Sequence, residues 1–189
     1  SCLYLAHIEY YSALCRSKSA SIEVHDNYQK QSYRNRCNIV GANGLMPLSI
    51  PIEKPETTTC KMKDIRIANH GNWRHLHWNA IVSAYNSTPF FEYYADELQP
   101  FYEKKIPFLA DFNLQLHQLI CRWLQTETST TTSTAYIAKI SEGMSDFRET
   151  IHPKRTSDFT TKPYYQVFRE KLGFIKNASI IDLVFNMGN

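Results

Sequence analysis

Three groups of polar residues in this 189-residue chain have the types and spacing to do chemistry. The first is His25-Asp26, a base beside an acid. The carboxylate of Asp26 would orient the His25 imidazole and stabilise its charge while His25 acts as a base. The alternative is an Asx-type turn, in which Asp26 or Asn27 bonds its own backbone. The second group is His70, His75 and His77. Residues two apart on a helix lie about 200° around its axis, so His75 and His77 cannot face one ion. No His-Glu-x-x-His spacing is present either. His70 and His75 are therefore acid/base candidates, and no metal site is expected. The third group is Lys30, Arg34, Asn35 and Arg36. On an extended segment Arg34 and Arg36 point the same way, and two guanidinium forks suit a phosphate. That reading asks for no burial of either; its alternative is a solvated charged edge. Tyr10, Tyr28 and Trp73 join the binding candidates, as aromatic surface for a sugar or base.

Other catalytic templates fit badly. There is no Gly-x-Ser-x-Gly, no Walker loop and no Gly-x-Gly-x-x-Gly. Cys37 lies among Arg34, Arg36 and Lys30, which would favour a thiolate; the alternative is a buried, inert thiol. Cys2, Cys15, Cys37, Cys60 and Cys121 are odd in number, scattered and without a Cys-x-x-Cys pair. Reduced thiols and a cytoplasmic location are expected. A net charge of +3 and a pI near 8.5 are too mild to point to nucleic acid. No apolar run approaches the roughly 18 residues of a membrane span. Ser1 to Ala6 is too short for a secretion signal and lacks a basic start.

The elements that must position these groups follow from periodicity. Cys2 to Ala6 is expected to form a first buried strand, followed by a helix through Ile8, Tyr11, Leu14 and Cys15. Ser21 to His25 alternates Ile22 and Val24 against Glu23 and His25, which predicts a second strand with one buried face. Strand, helix and strand make a parallel βαβ unit. Asn38–Val40 and Leu45–Ile52 flank Asn43-Gly44, a hairpin signal. Residues 53–60 read as a polar loop, and 64–68 as a short strand. Asn72 is placed as the N-cap of a helix to about Tyr85. Pro89, Pro100 and Pro107 punctuate short helices before a longer one over 108–124. The Ser/Thr run within 126–134 reads as a mobile loop. The segment 139–163 should be weakly structured, 164–172 helical, and Ser179 to Asp182 the capping box of a last helix. The expected class is thus α/β: a single domain over 1–189 with a small mixed sheet, covered by helices from the C-terminal half.

Several segments together resemble the WbqC-like family. They are Asn27-Tyr-Gln-Lys-Gln-Ser-Tyr-Arg-Asn-Arg36, Leu48-Ser-Ile-Pro-Ile52 after the Asn-Gly turn, and Met62-Lys-Asp-Ile-Arg-Ile67. Gly71-Asn-Trp-Arg-His-Leu-His-Trp78, Tyr85-Asn-Ser-Thr-Pro-Phe-Phe91 and Ser179-Ile-Ile-Asp-Leu-Val-Phe-Asn186 follow in the family's order. One departure stands near the start. Tyr10 and Tyr11 keep the family's aromatic pair, but the Pro that usually precedes it is absent. The resemblance implies a bacterial protein of O-antigen-like surface-polysaccharide biosynthesis, a transferase of an aminoacyl (glycine) or acyl group to an amino sugar or nucleotide sugar. The implied partners are a sugar, a nucleotide sugar or an acyl donor. A competing reading is a non-catalytic glycan- or nucleotide-sugar-binding module with an aromatic belt of Tyr10, Tyr11, Trp73, Trp78, Tyr94 and Tyr102. An acid–base pair in a cleft favours the first, an open aromatic trough the second.

Overall fold

In the computed structural model, which describes residues 1–55, 57 and 59–189, the elements run α1 (Ile8–Cys15), β1 (Ser19–Ile22), β2 (Arg36–Gly41), β3 (Gly44–Ser49), α2 (Trp73–Tyr85), α3 (Phe91–Leu98), α4 (Pro100–Glu103), α5 (Leu109–Trp123), β4 (Ser129–Thr132), α6 (Arg169–Leu172) and α7 (Ile180–Met187). The class is mixed α/β, as the alternating patterns predict. Two positions of the expected loop at 53–60, Glu56 and Thr58, lie outside the described residues.

β2 and β3 form the expected antiparallel hairpin, with Gly41 opposite Gly44. Only Gly44 takes a positive φ there, 109°. The opening differs from the βαβ expectation. Cys2 to Ala6 is buried but not a strand: Tyr4 and Leu5 form a turn, and Leu5 sits at φ 38°. An apolar run reports burial, and a single left-handed residue is enough to end an extended path. A parallel pair does form, but with another partner. β1 lies beside β4, Ser19 opposite Ser129 through Ile22 opposite Thr132. The Ser/Thr run expected as a mobile loop therefore contains a strand, built from β-branched Thr that suits a pleated edge. Among the described residues the sheet is two separate pairs, not one. At 66–67 only isolated bridges form, Arg66 to Phe108 and Ile67 to Ile52.

α2 packs on β2, and α5 on a 3-10 turn at Met62–Asp64. Trp73, His77, Ile81, Ala84 and Tyr85 are the buried face of α2, close to the two stripes the spacing predicts. Asn72 precedes α2 but does not cap it with its side chain; it takes φ 47°. Phe185 of α7 closes the core against Tyr85 at 5.2 Å and Phe91 at 5.3 Å, both edge-on.

The C-terminal end corrects two further expectations. Ser179 gives its hydroxyl to Leu5 O at 2.7 Å, so no capping box forms with Asp182. Of 164–172 only Arg169–Leu172 is helical. The reason is a buried polar knot on Asp182. Its carboxylate accepts from Tyr85 at 3.1 Å, Tyr164 at 2.5 Å and Gln166 at 2.8 Å. Tyr164 and Gln166 reach it from an extended segment, and Gln166 also brackets Ile175 through both its amide atoms. Burial pushes the Asp182 carboxyl up, and the three donors only partly counter it. Asp182→Ala should lower stability by about 2–3 kcal/mol, because three buried donors lose their acceptor. Denaturant unfolding checks this, and Asp182→Asn, which keeps one acceptor, should lose less.

Candidate functional site

The site starts where β1 ends. Strand alternation puts Glu23 on the solvent side, but the residue is 4% exposed. Its carboxylate accepts from the Ser133 hydroxyl at 2.6 Å, His25 N at 2.7 Å and Ile137 N at 3.3 Å. Burial alone would push the Glu23 carboxyl up. The donors Ser133, His25 N and Ile137 N, with Arg148 beside them, outweigh it and hold the group below its ordinary value. A buried anion so clamped ties residues 23–25 to residues 133–137. On the other side Met62 N bonds Asp26 O at 2.9 Å, Lys63 N bonds Val24 O at 3.0 Å and Tyr28 N bonds Cys60 O at 2.9 Å. The segment 24–28 is thus held from both flanks.

It borders an open cavity of about 490 Å³. His25, Asp26, Asn27 and Gln29 line it with Lys61, the bridge partner of Asn27, and with Tyr136 and Glu149. Gln29 bonds Glu149 across the gap at 2.7 Å. Arg148 grips Asp146 at 2.6 Å and lies 5.4 Å from the Tyr136 ring centroid, which fixes that ring. The Asp146 carboxyl falls to about 2, chiefly through its hydrogen bonds from Arg148.

Asp26 forms the floor, 8% exposed. One of its oxygens, Oδ2, makes a close ion pair with Arg34; the other, Oδ1, is buried without a hydrogen-bond partner among the described residues. Arg34 is itself 2% exposed, and Asn113 holds its carbonyl at 2.7 Å. The expectation of a free Arg34 fork is therefore corrected: its charge is spent on Asp26 beneath the cavity. Nor is Asp26 the orienting acid of His25, since its side-chain partners are Arg34 and Ser1. The family-like spelling of 27–36 reflects a brace as much as a binding edge.

Of the other expected residues, none lines the cavity. Arg36 bonds Ser49 Oγ at 3.1 Å on the hairpin, Asn35 bonds Ile50 O at 2.8 Å, and Lys30 is exposed. Tyr28 is half-buried beside the cavity wall. His70 is exposed; His75 is exposed and bonds Asn79 at 2.9 Å. His77 faces the opposite way, buried against Tyr4 at 3.0 Å, as the two-residue helical spacing requires. Burial lowers its pKa to about 4. Trp73 is buried, its Nε1 donating to Ala68 O at 3.1 Å. Tyr10 stands edge-on to Tyr11 and His117. The aromatic belt is largely core: Tyr11, Trp73, Tyr94 and Tyr102 are buried. Cys37 is fully buried, and burial pushes its thiol well up, so it is no nucleophile. Sequence reading misses Lys61, Tyr136, Glu149, Glu23 and Arg148. The last two carry one signal, an acid in a strand and a base in a polar segment, but no spacing joins them.

A mixed α/β chain with an open cavity beside its parallel pair is the class that fold and site define. The model of the WbqC-like protein family matches residues 2–151, and the chain belongs to that family. Every cavity-lining residue falls inside that match. The chain is also 29% identical over 110 residues to an uncharacterised protein of Mycobacterium tuberculosis, Rv1507c; the match covers 58% of this chain and 47% of that protein. No solved structure matches it. Among the described residues, no helix is long and apolar enough to cross a membrane, and no group of three or more His, Cys, Asp and Glu is placed to hold a metal.

Proposed function

We propose that this protein is a group transferase of bacterial surface-polysaccharide biosynthesis, acting in the cytoplasm and passing an aminoacyl or acyl group to an amino sugar or nucleotide sugar. The observation that carries the reading is the cavity that His25, Asp26 and Lys61 line together. In it, the acceptor's amine attacks the acyl carbon, His25 takes the proton that the amine loses, and the bond from that carbon to the donor's leaving group breaks. Lys61 holds the phosphate or carboxylate of the donor as a point charge. Membership of the family supports the pathway, by association. We infer that residues 1–189 act as one unit, because the Asp182 knot ties the segment beyond 151 to α2 and β2.

The experiment is a thermal-shift screen over nucleotide sugars and acyl donors, followed by turnover of any hit. A ligand at a hundred times its Kd raises stability by about 2.7 kcal/mol. His25→Gln should cut transfer by roughly 10²–10⁴-fold while leaving melting nearly unchanged, because His25 is only half-buried. A His25→Gln variant with full activity would remove the base from this reading. The binding-module alternative loses its basis where the aromatic belt is core.

A further inference from the structure

We propose that Cys15 and Cys121 form a dithiol couple: Cys15 exchanges with an anionic low-molecular-weight disulfide, and Cys121 resolves the adduct by crosslinking α1 to α5. The pair is separate from the cavity above.

Helices α1 and α5 run the same way and are joined at three levels. At their N-terminal ends Cys2 Sγ, just before α1, contacts Ala110 O of α5 at 3.6 Å. Midway, the Tyr11 ring stacks on His117, with centroids 5.8 Å apart and 19° between planes. At their C-terminal ends one short segment joins both helices. Thr128 Oγ1 donates to Leu14 O or Ser17 O, at 3.0 and 2.9 Å, and Thr126 N donates to Cys121 O at 3.2 Å. Residues four apart share a helix face. Cys15 is four beyond Tyr11, and Cys121 is four beyond His117. The stacked pair therefore sets the register, and one turn later it brings the two cysteines to the same level.

The two thiols differ in the way the sequence of steps needs. Cys15 is exposed and lines a groove of about 580 Å³ together with Arg16, Lys18, Leu124 and Glu127. The two cations suit the carboxylates of a peptide-like disulfide. Cys121 is half-buried, and its thiol is pushed up to about 11, first by burial and then by the neighbouring Cys15. Cys15 is the thiol that a dissolved disulfide reaches first, so the first attack belongs to it. The Cys15 thiolate attacks one sulfur of the small disulfide and releases one small thiol. Cys121 then attacks the Cys15 sulfur of the mixed disulfide and releases the second. Its proton leaves with the small thiolate that it displaces, and His117, whose Nε2 lies 3.4 Å from Cys121 Sγ, fixes where that thiol stands. Two protein thiols are oxidised and one disulfide is reduced to two thiols. The crosslink needs Cα atoms within about 7 Å, and both cysteines sit in the last turns of their helices, where the backbone yields most easily.

The test exposes the full chain to oxidised glutathione and maps its peptides without reduction. Wild type should lose two of its five free thiols and yield the Cys15 peptide linked to the Cys121 peptide. Cys121→Ser should stop at a stable glutathione adduct on Cys15, and Cys15→Ser should leave Cys121 unmodified. Wild type that keeps as much Cys15 adduct as Cys121→Ser overturns the resolving step. A Cys121 that is modified equally fast in Cys15→Ser overturns the order. Melting curves precede each reaction, and a Ser variant that melts early is replaced by Ala.

Discussion

Acidification from pH 7 towards pH 4 is expected to unfold this protein, through three histidines buried in its core. His7, His77 and His117 are 1%, 6% and 5% exposed. Burial lowers each to about 4, against an ordinary value of 6.5. Their folded pKa values are depressed, so folding favours the neutral rings. The stabilisation is fully present above pH 6.5 and is lost as the pH falls from 6.5 to about 4, where the unfolded chain takes up protons that the folded chain refuses. Each tenfold difference in proton affinity is worth about 1.4 kcal/mol, so each histidine loses roughly 3 kcal/mol over that window. Together that is comparable with the entire stability of an ordinary domain, about 5–15 kcal/mol. Asp182 works the other way, because its raised carboxyl binds a proton more readily when folded. Denaturant midpoints measured from pH 7 to pH 4.5 should fall steeply, with about three protons taken up on unfolding near pH 5. His117→Gln should remove about a third of that slope, and His75→Gln, at an exposed position, none of it. Midpoints that stay flat down to pH 5 would mean that these rings are solvated or paired.

Replacing Arg34 should be the most damaging single substitution near the cavity. Its guanidinium is the charge partner of Asp26, and both side chains are nearly sealed, at 3% and 10% exposure. A buried ion pair adds little against a well-packed apolar pair, but removal of one partner leaves the other charge uncompensated and costs about 3–5 kcal/mol. For a chain of this size that corresponds to a fall of roughly 6–20 °C in Tm. Arg34→Gln should therefore melt early, as should Asp26→Ala. The double variant Asp26→Asn with Arg34→Gln should recover part of the loss, since neither charge is left alone. Arg36→Gln should leave melting within about 0.5 kcal/mol of wild type. Equal melting of Arg34→Gln and wild type would show the pair to be hydrated, and would return Arg34 to the ligand-binding cations.

Arg34 also shows where local spelling stops being informative. Arg34 and Arg36 have the same type and sit two apart, and nothing local distinguishes them. One ends up beneath a cavity floor because the chain folds back to Asp26 and α5 brings Asn113 there; the other ends up on a hairpin surface beside Ser49. The same holds for the C-terminal segment. Tyr164 and Gln166 are spelled like a helix, yet three hydrogen bonds to Asp182, two of them from these residues, outweigh a local preference of tenths of a kilocalorie per residue.

Patterns that repeat within one turn or one hairpin are legible in the sequence by itself. The helices α1, α2 and α5, the hairpin at Gly44, the opposite faces of His75 and His77, and the family itself are all readable from spacing and local spelling. That is because each is decided by neighbours a few residues away, through the 3.6-residue turn, the two-residue pleat or the freedom of a glycine. Tertiary structure alone decides that β1 pairs with β4, that Glu23 and Asp26 turn inward, and that Lys61, Tyr136 and Glu149 share a cavity with His25. Those outcomes depend on which distant segment supplies the matching hydrogen bond or charge once the core has closed, and no periodicity in the sequence encodes that partner.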